Sequence, residues 1–332
     1  MAATDETSAE ERLIARYFRP LATAPGAFGL SDDAAIVTPP PGCDLVLTTD
    51  GVIAGVHFFP DDPPEKIGRK VLRMNLSDLA AKGAKPIGFL IALALPAAID
   101  EAWLAAFASG LGEDAESYGC PLLGGDTDRT PGPTSVSVAA FGALPHATMV
   151  RRSTAKAGDS VIVTGTIGDA ALGVLLRRDQ NLGERWRLSD VMAGHLLQRY
   201  LLPQPRNALA EAVRCHAASS MDVSDGLAGD LAKLCRASGV AAEIDVAGVP
   251  LSDAARAAVA AEPALIETVL TGGDDYEIVL TLAPEKLGSF RAAAQAVGIP
   301  VTEIGRIAAG QGARFVYGGK TLTFSRPAYS HF

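Results

Sequence analysis

The chain has 332 residues, enough for two domains that each bury a core of their own. Its 29 Lys and Arg stand against 38 Asp and Glu, a formal charge of −9. That balance argues against nucleic acid or an anionic membrane as a partner, because both need a cationic surface, and it leaves any anionic substrate in need of a local device such as metal ions.

In chain order, Ser8 and Glu11 form a capping box before Leu13, Ile14, Tyr17 and Phe18 at helical spacing, which predicts a short amphipathic helix. Strands are predicted at Ala34–Val37 and Leu45–Thr49, on either side of a turn at Pro39-Pro-Pro-Gly42. A helix over about 65–81 stops at Lys82-Gly83, where a cation and a glycine close it. There follow a strand at Phe89–Leu95, a helix over 101–118, a loop at Gly124-Gly125-Asp126 and a strand at Val136–Gly142. A boundary falls between Leu144 and Gly158, dividing the chain into domains 1–150 and 151–332. The second half continues with a strand at Val161–Val163, a helix after Gly168, helices near 191–200 and 207–215, a strand at Met221–Val223, a helix over 227–237 and a strand at Ala242–Val246. It closes with a strand over 276–282, a helix near 287–297, a strand near 301–307 and a hairpin at Gly318-Gly319. The alternation is that of an α/β (α+β) protein.

The four cysteines, Cys43, Cys120, Cys215 and Cys235, lack the C-x-x-C spacing of a zinc site and suggest reduced thiols in the cytoplasm. The first residues have neither a basic segment nor an apolar core, so no signal peptide is expected. The longest apolar stretch, Ile87–Ile99, is interrupted by Gly88 and Pro96 and is too short to span a membrane.

Aspartates recur at predicted strand ends: Asp32-Asp33 before one strand, Asp50 after another, Asp126 after two glycines, and Asp222 and Asp225 around Ser224. Each alone reads as a turn former or helix cap; together they read as oxygen ligands for a hard cation such as Mg²⁺. Asp78 falls on the Ile67–Val71–Met74 stripe of its helix, so its carboxylate needs a partner, either a protein cation or a metal. His57, in a glycine and aromatic loop, reads either as a structural histidine or as a substrate contact. Gly319-Lys320-Thr321 mimics the end of a P-loop, but it lies in a hairpin turn and Arg314 occupies the required glycine position. Gly165-Thr-Ile-Gly168 between a strand and a helix reads better as a tight packing turn than as a phosphate loop. No G-x-S-x-G is present. Carboxylates with glycine loops and few candidate bases favour metal-assisted phosphoryl transfer.

The segments Gly29-Leu-Ser-Asp-Asp33, Thr48-Thr-Asp50, Gly55-Val-His57, Asn75-Leu-Ser-Asp-Leu-Ala-Ala81, Gly124-Gly-Asp126, Arg152-Ser, Thr164-Gly-Thr-Ile-Gly-Asp169, Asp222-Val-Ser-Asp-Gly-Leu227, Gly272-Gly-Asp-Asp-Tyr-Glu277 and Tyr329-Ser-His-Phe332 resemble, in order, those of the thiamine-monophosphate kinases. The resemblance runs from about residue 10 to the last residue. It implies the two-domain fold of the aminoimidazole ribonucleotide synthetase superfamily, with a C-terminal α/β sandwich and a homodimer whose N-terminal sheets pair across the interface. It also implies ATP and thiamine monophosphate as ligands and thiamine diphosphate and ADP as products. By the same resemblance, Asp33, Thr48, Thr49, Asp50, Asp78, Asp126, Asp222 and Asp225 match ligands of several Mg²⁺ ions. Gly125, Asp126, Arg152 and Ser224 match ATP positions, and His57, Asp274 and Tyr329 match positions near thiamine monophosphate. The chain departs from the pattern at Asp274, where glutamate is common, at Ser31, where glycine is usual, and at Gly51, where threonine or serine is frequent. The alternatives are another ATP-using enzyme of the superfamily or a non-catalytic nucleotide-binding relative.

Overall fold

The structure is a computed structural model that describes residues 8–326, 328 and 329. It comprises two compact units, one formed by the chain up to Leu76 with Pro86–Pro145, the other by Ser77–Lys85 with the chain from His146 onward.

The first unit opens with α1 (Ala9–Leu13), whose Ser8 and Glu11 make the predicted capping box, followed by a π-helical turn through Phe18. Its four strands are β1 (Cys43–Ile53), β2 (Lys85–Leu95), β3 (Leu122–Arg129) and β4 (Ser135–Pro145), in the order β1-β4-β2-β3. Two long helices, α2 (Pro64–Ala81) and α3 (Glu101–Ser117), connect them. Helix α2 stops where the sequence predicts, at Gly83, which takes a left-handed φ of 76°. One face of the sheet is buried through Val46, Val52, Val138, Ile91 and Leu93, whereas Leu47 and Leu90 on the other are exposed.

Three predictions fail here for identifiable reasons. Ala34–Val37 is extended but joins no sheet; Ile36 N–H donates to Gly26 O at 2.9 Å, and the prolines that follow have no amide to pair. Asp50 lies inside β1 opposite Val138, three residues before the strand ends. Gly124-Gly125-Asp126 is part of β3, not a loop, and pairs in parallel with β2. Gly125 belongs in a strand because a Cβ there would sit 2.0 Å from the Ile91 carbonyl oxygen. Gly125→Ala is therefore expected to destabilise the protein by about 1–3 kcal/mol or more, whereas a Gly124→Ala Cβ meets only the Leu90 side chain at 3.3 Å and should be mild. Urea midpoints of the two variants check the contrast.

The second unit has a seven-stranded mixed sheet built from β5 (Ser160–Thr164), β6 (Ser219–Val223), β7 (Ala241–Asp245), β8 (Glu277–Leu282), β9 (Val301–Ala308), β10 (Gly312–Tyr317) and β11 (Lys320–Thr321). The order is β11-β10-β7-β9-β5-β8-β6, with only β10 and β7 parallel among the registered pairs. Its helices are α4 (Asp169–Arg178), α5 (Leu182–Arg185), α6 (Asp190–Leu201), α7 (Ala210–His216), α8 (Leu227–Ser238), α9 (Asp253–Ala261), α10 (Leu265–Thr271) and α11 (Leu287–Ala296). Val161, Val163 and Val279 enter one core with Leu172, Leu231 and Val269; Ile162, Ile278 and Leu280 enter another with Val213 and Phe290. Helices on both faces explain why β8 reads as an almost unbroken apolar run. The C-terminal hairpin forms as predicted, turning at Gly318-Gly319 with Lys320-Thr321 in β11. Among the described residues no helix is long and apolar enough to cross a membrane.

Candidate active site

In the first unit a cavity of about 850 Å³ opens on the half-exposed face of the sheet. Asp32 and Asp33, on the extended segment after Leu30, line one side; Thr49 of β1, Ser137 and Ala139 of β4, and Gly124, Gly125 and Asp126 of β3 line the rest. Among the described residues the lining contains three carboxylates and no Lys, Arg or His. A phosphate ester entering such a cavity meets only negative charge unless cations come with it. Asp126 Oδ1 accepts the Thr127 amide at 3.0 Å, and Asp32 Oδ1 accepts that of Asp33 at 2.8 Å. Because side chains alternate along a strand, Thr49 faces the cavity whereas Thr48 and Asp50 leave the opposite face.

His57 follows β1 in a tight turn. Its Nδ1 accepts the Ile53 amide at 3.0 Å and its carbonyl accepts Lys70 Nζ at 3.1 Å, so the neutral ring carries its proton on Nε2.

In the second unit Asp222, next to last in β6, is buried at 7% exposure and accepts the Ser77 hydroxyl at 3.0 Å. Lys82, just past the end of α2, donates from Nζ to Ser220 O at 2.6 Å. Burial pushes the Lys82 ammonium below its ordinary range; Asp222 opposes that shift, Arg152 adds to it, and Asp78 opposes it. Thus Asp78, Asp222 and Arg152 all act on one half-buried lysine. Asp78 is half-buried on the stripe that Ile67, Val71 and Met74 bury. Neither Ser77 nor Lys82 stands out in the sequence as a partner of Asp222, since each pairs with a strand more than 130 residues away.

The turn after β6 carries Ser224 and Asp225. Asp230 takes both of their amides, at 3.0 and 2.9 Å, and Lys233 bridges Asp225 and Asp230. Two backbone bonds bring the remaining candidates here: Asp274 N–H donates to Ser224 O at 2.8 Å, and Tyr329 N–H to Asp225 O at 3.0 Å. Ser330, His331 and Phe332 of the C-terminal motif lie outside the described residues. The glycine loop before α4 is filled from within, because the Gly168 amide meets the Asp275 carboxylate at 2.8 and 3.0 Å. Burial pushes the Asp275 carboxyl well above the usual range.

The candidate ligands offer only hard oxygens, the donor set Mg²⁺ takes. Among the described residues no three His, Cys, Asp or Glu side chains are grouped to cage a metal by themselves. Mg²⁺ is commonly bound through one or two carboxylates, with phosphates and water completing its shell.

Residues 31–144 match the family model described as AIR synthase related protein, N-terminal domain, and residues 156–318 match AIR synthase related protein, C-terminal domain. The chain is 42% identical over 322 residues to the thiamine-monophosphate kinase of Caulobacter vibrioides, covering 96% of this chain and 89% of that one. The chain belongs to the thiamine-monophosphate kinase family. Among solved structures, the thiamine-monophosphate kinase of Stenotrophomonas maltophilia superposes with a TM-score of 0.82 at 37% identity, over 96% of this chain and 98% of that one. AaThiL complexed with AMPPCP and TMP superposes with a TM-score of 0.76 at 32% identity, over 92% and 97%. In this thiamine-monophosphate kinase family member the buried thiols are poor nucleophiles: burial pushes Cys120 up to about 12 and Cys235 to about 11.

Proposed function

We infer that the chain is an ATP-dependent kinase that transfers the γ-phosphoryl group of ATP to the phosphate of thiamine monophosphate, giving thiamine diphosphate and ADP. The observation that carries this reading is the cavity lined by the carboxylates of Asp32, Asp33 and Asp126, in a chain whose relative was solved with AMPPCP, an ATP analogue, and TMP. An enzyme that joins two phosphates has repulsion between polyanions as its main obstacle. Bound Mg²⁺ supplies the positive charge that offsets it. Asp33, Thr49 and Asp126 are the donors on the cavity; Thr48 and Asp50, from the other face of β1, and Asp78, Asp222 and Asp225 of the second unit are the further oxygen donors for several ions. We assign Gly125, Asp126, Arg152 and Ser224 to ATP, and His57, Asp274 and Tyr329 to thiamine monophosphate.

The chain's own part is to position and to exclude. Gly125 has no side chain, so β3 lies against β2 and Asp126 is held at the cavity wall. The Arg152 guanidinium balances phosphate charge, and the Ser224 hydroxyl is a hydrogen-bond donor to a phosphate oxygen. The acceptor phosphate is already anionic near neutral pH, so no general base is needed. Transfer is direct and in-line, without a phosphoenzyme. Net inversion at a chiral γ-phosphate is expected in the thiamine diphosphate formed, and retention would count against it.

We further propose a homodimer whose N-terminal sheets pair across the interface, with Leu47 and Ile53 of β1, exposed apolar side chains that do not line the cavity, available to it. The four free cysteines suit a reducing, cytoplasmic setting.

A further inference from the structure

The loop between α10 and β8 is bent in a way L-residues avoid: Gly273, Asp274 and Tyr276 have φ of 76°, 64° and 50°. Non-glycine residues hold such angles only where their surroundings over-determine them. Two backbone bonds set the outer side of the loop, Asp274 N–H to Ser224 O and Tyr276 N–H to Val223 O, each 2.8 Å. The inner side is set by charges. Asp275, 1% exposed, turns inward so that both carboxylate oxygens meet the Gly168 amide. Arg199 Nη2 reaches the Asp275 carbonyl at 3.2 Å and Glu277 Oε1 at 2.8 Å, gripping the loop on both sides of Tyr276. Glu277 is held in turn by Arg206 Nε and the Thr164 hydroxyl, each at 2.6 Å. Buried ion pairs of this kind contribute little net stability compared with apolar packing, so their presence calls for another use. What they fix is the alternation that sends Asp275 in and Asp274 out beside Ser224.

We propose that Asp275 and Arg199 are positioning residues that hold Asp274 toward thiamine monophosphate and so set the affinity for that substrate and not for ATP. The proposal rests on the assignment of Asp274 to thiamine monophosphate. The test is steady-state kinetics of the full-length protein with each substrate varied, on Asp274→Ala, Asp275→Ala, Asp275→Asn and the double variant Asp274→Ala/Asp275→Ala. Asp275→Ala is expected to raise the KM for thiamine monophosphate about tenfold while the KM for ATP stays within about twofold. Asp275→Asn should recover most of the loss, since its amide oxygen still accepts the Gly168 N–H. In the Asp274→Ala background the second substitution should add nothing, the signature of one residue acting through another. An equal rise in both KM values, or additive losses in the double variant, would overturn the positioning role. A raised KM in Asp274→Ala with none in Asp275→Ala would also overturn it while leaving the substrate assignment standing. An unchanged KM in Asp274→Ala would overturn both. Should Asp275→Ala not fold by circular dichroism, Arg199→Lys, which keeps the charge but loses the two-sided grip, carries the same comparison.

Discussion

Asp222→Asn is expected to lower turnover by about 10²-fold or more while the protein stays folded. The side chain is buried near the end of β6, and its carboxylate accepts the Ser77 hydroxyl at 3.0 Å. Asparagine has the same shape and keeps an oxygen that can accept that bond, so packing is preserved. What is lost is the negative charge through which this position would hold a cation against phosphate. Loss of that charge also removes a group that favours the charged form of the half-buried Lys82. Turnover at saturating ATP and Mg²⁺, with a circular-dichroism melt on the same sample, separates the two effects. Turnover within threefold of the parent would remove Asp222 from the ligand set.

Glu277→Ala is expected to destabilise the second unit by about 3–5 kcal/mol. Glu277 is fully buried, and its carboxylate lies between Arg199 and Arg206, whose side chains are 5% and 14% exposed. Truncation removes the carboxylate that both guanidiniums contact in the interior, and it also removes the acceptor of the Thr164 hydroxyl. The loss is read as a lower urea midpoint. Parent-like stability would show that the two arginines find other partners when the carboxylate is gone.

The sequence was most legible where a local rule acts within a few residues. Ser8 with Glu11 announced a helix start, Lys82-Gly83 a helix stop, and Gly318-Gly319 a hairpin, and each is present. It misled where a partner elsewhere decides. Gly124-Gly125 reads as a loop because glycine weakens strands, yet β2 approaches so closely that only glycine fits opposite Ile91. Ala34–Val37 has a strand's composition but no strand to pair with. The sequence predicts neither α9 nor α10, although Ser252, whose hydroxyl caps α9 by accepting the Ala255 amide, is a readable start signal. The aspartates of the candidate site were visible as residue types and motifs. The groups that hold them were not, because Ser77 with Asp222, and Arg199 with Glu277, pair across 145 and 78 residues and leave no local pattern.

The central claim is that the acceptor is the phosphate of thiamine monophosphate. It is tested most directly by following label from γ-labelled ATP, with Mg²⁺, into product when thiamine monophosphate or thiamine is offered. Label should appear in thiamine diphosphate with the first substrate and in no product with the second. Tight ATP binding without label transfer, or label entering a product from thiamine, would contradict the claim.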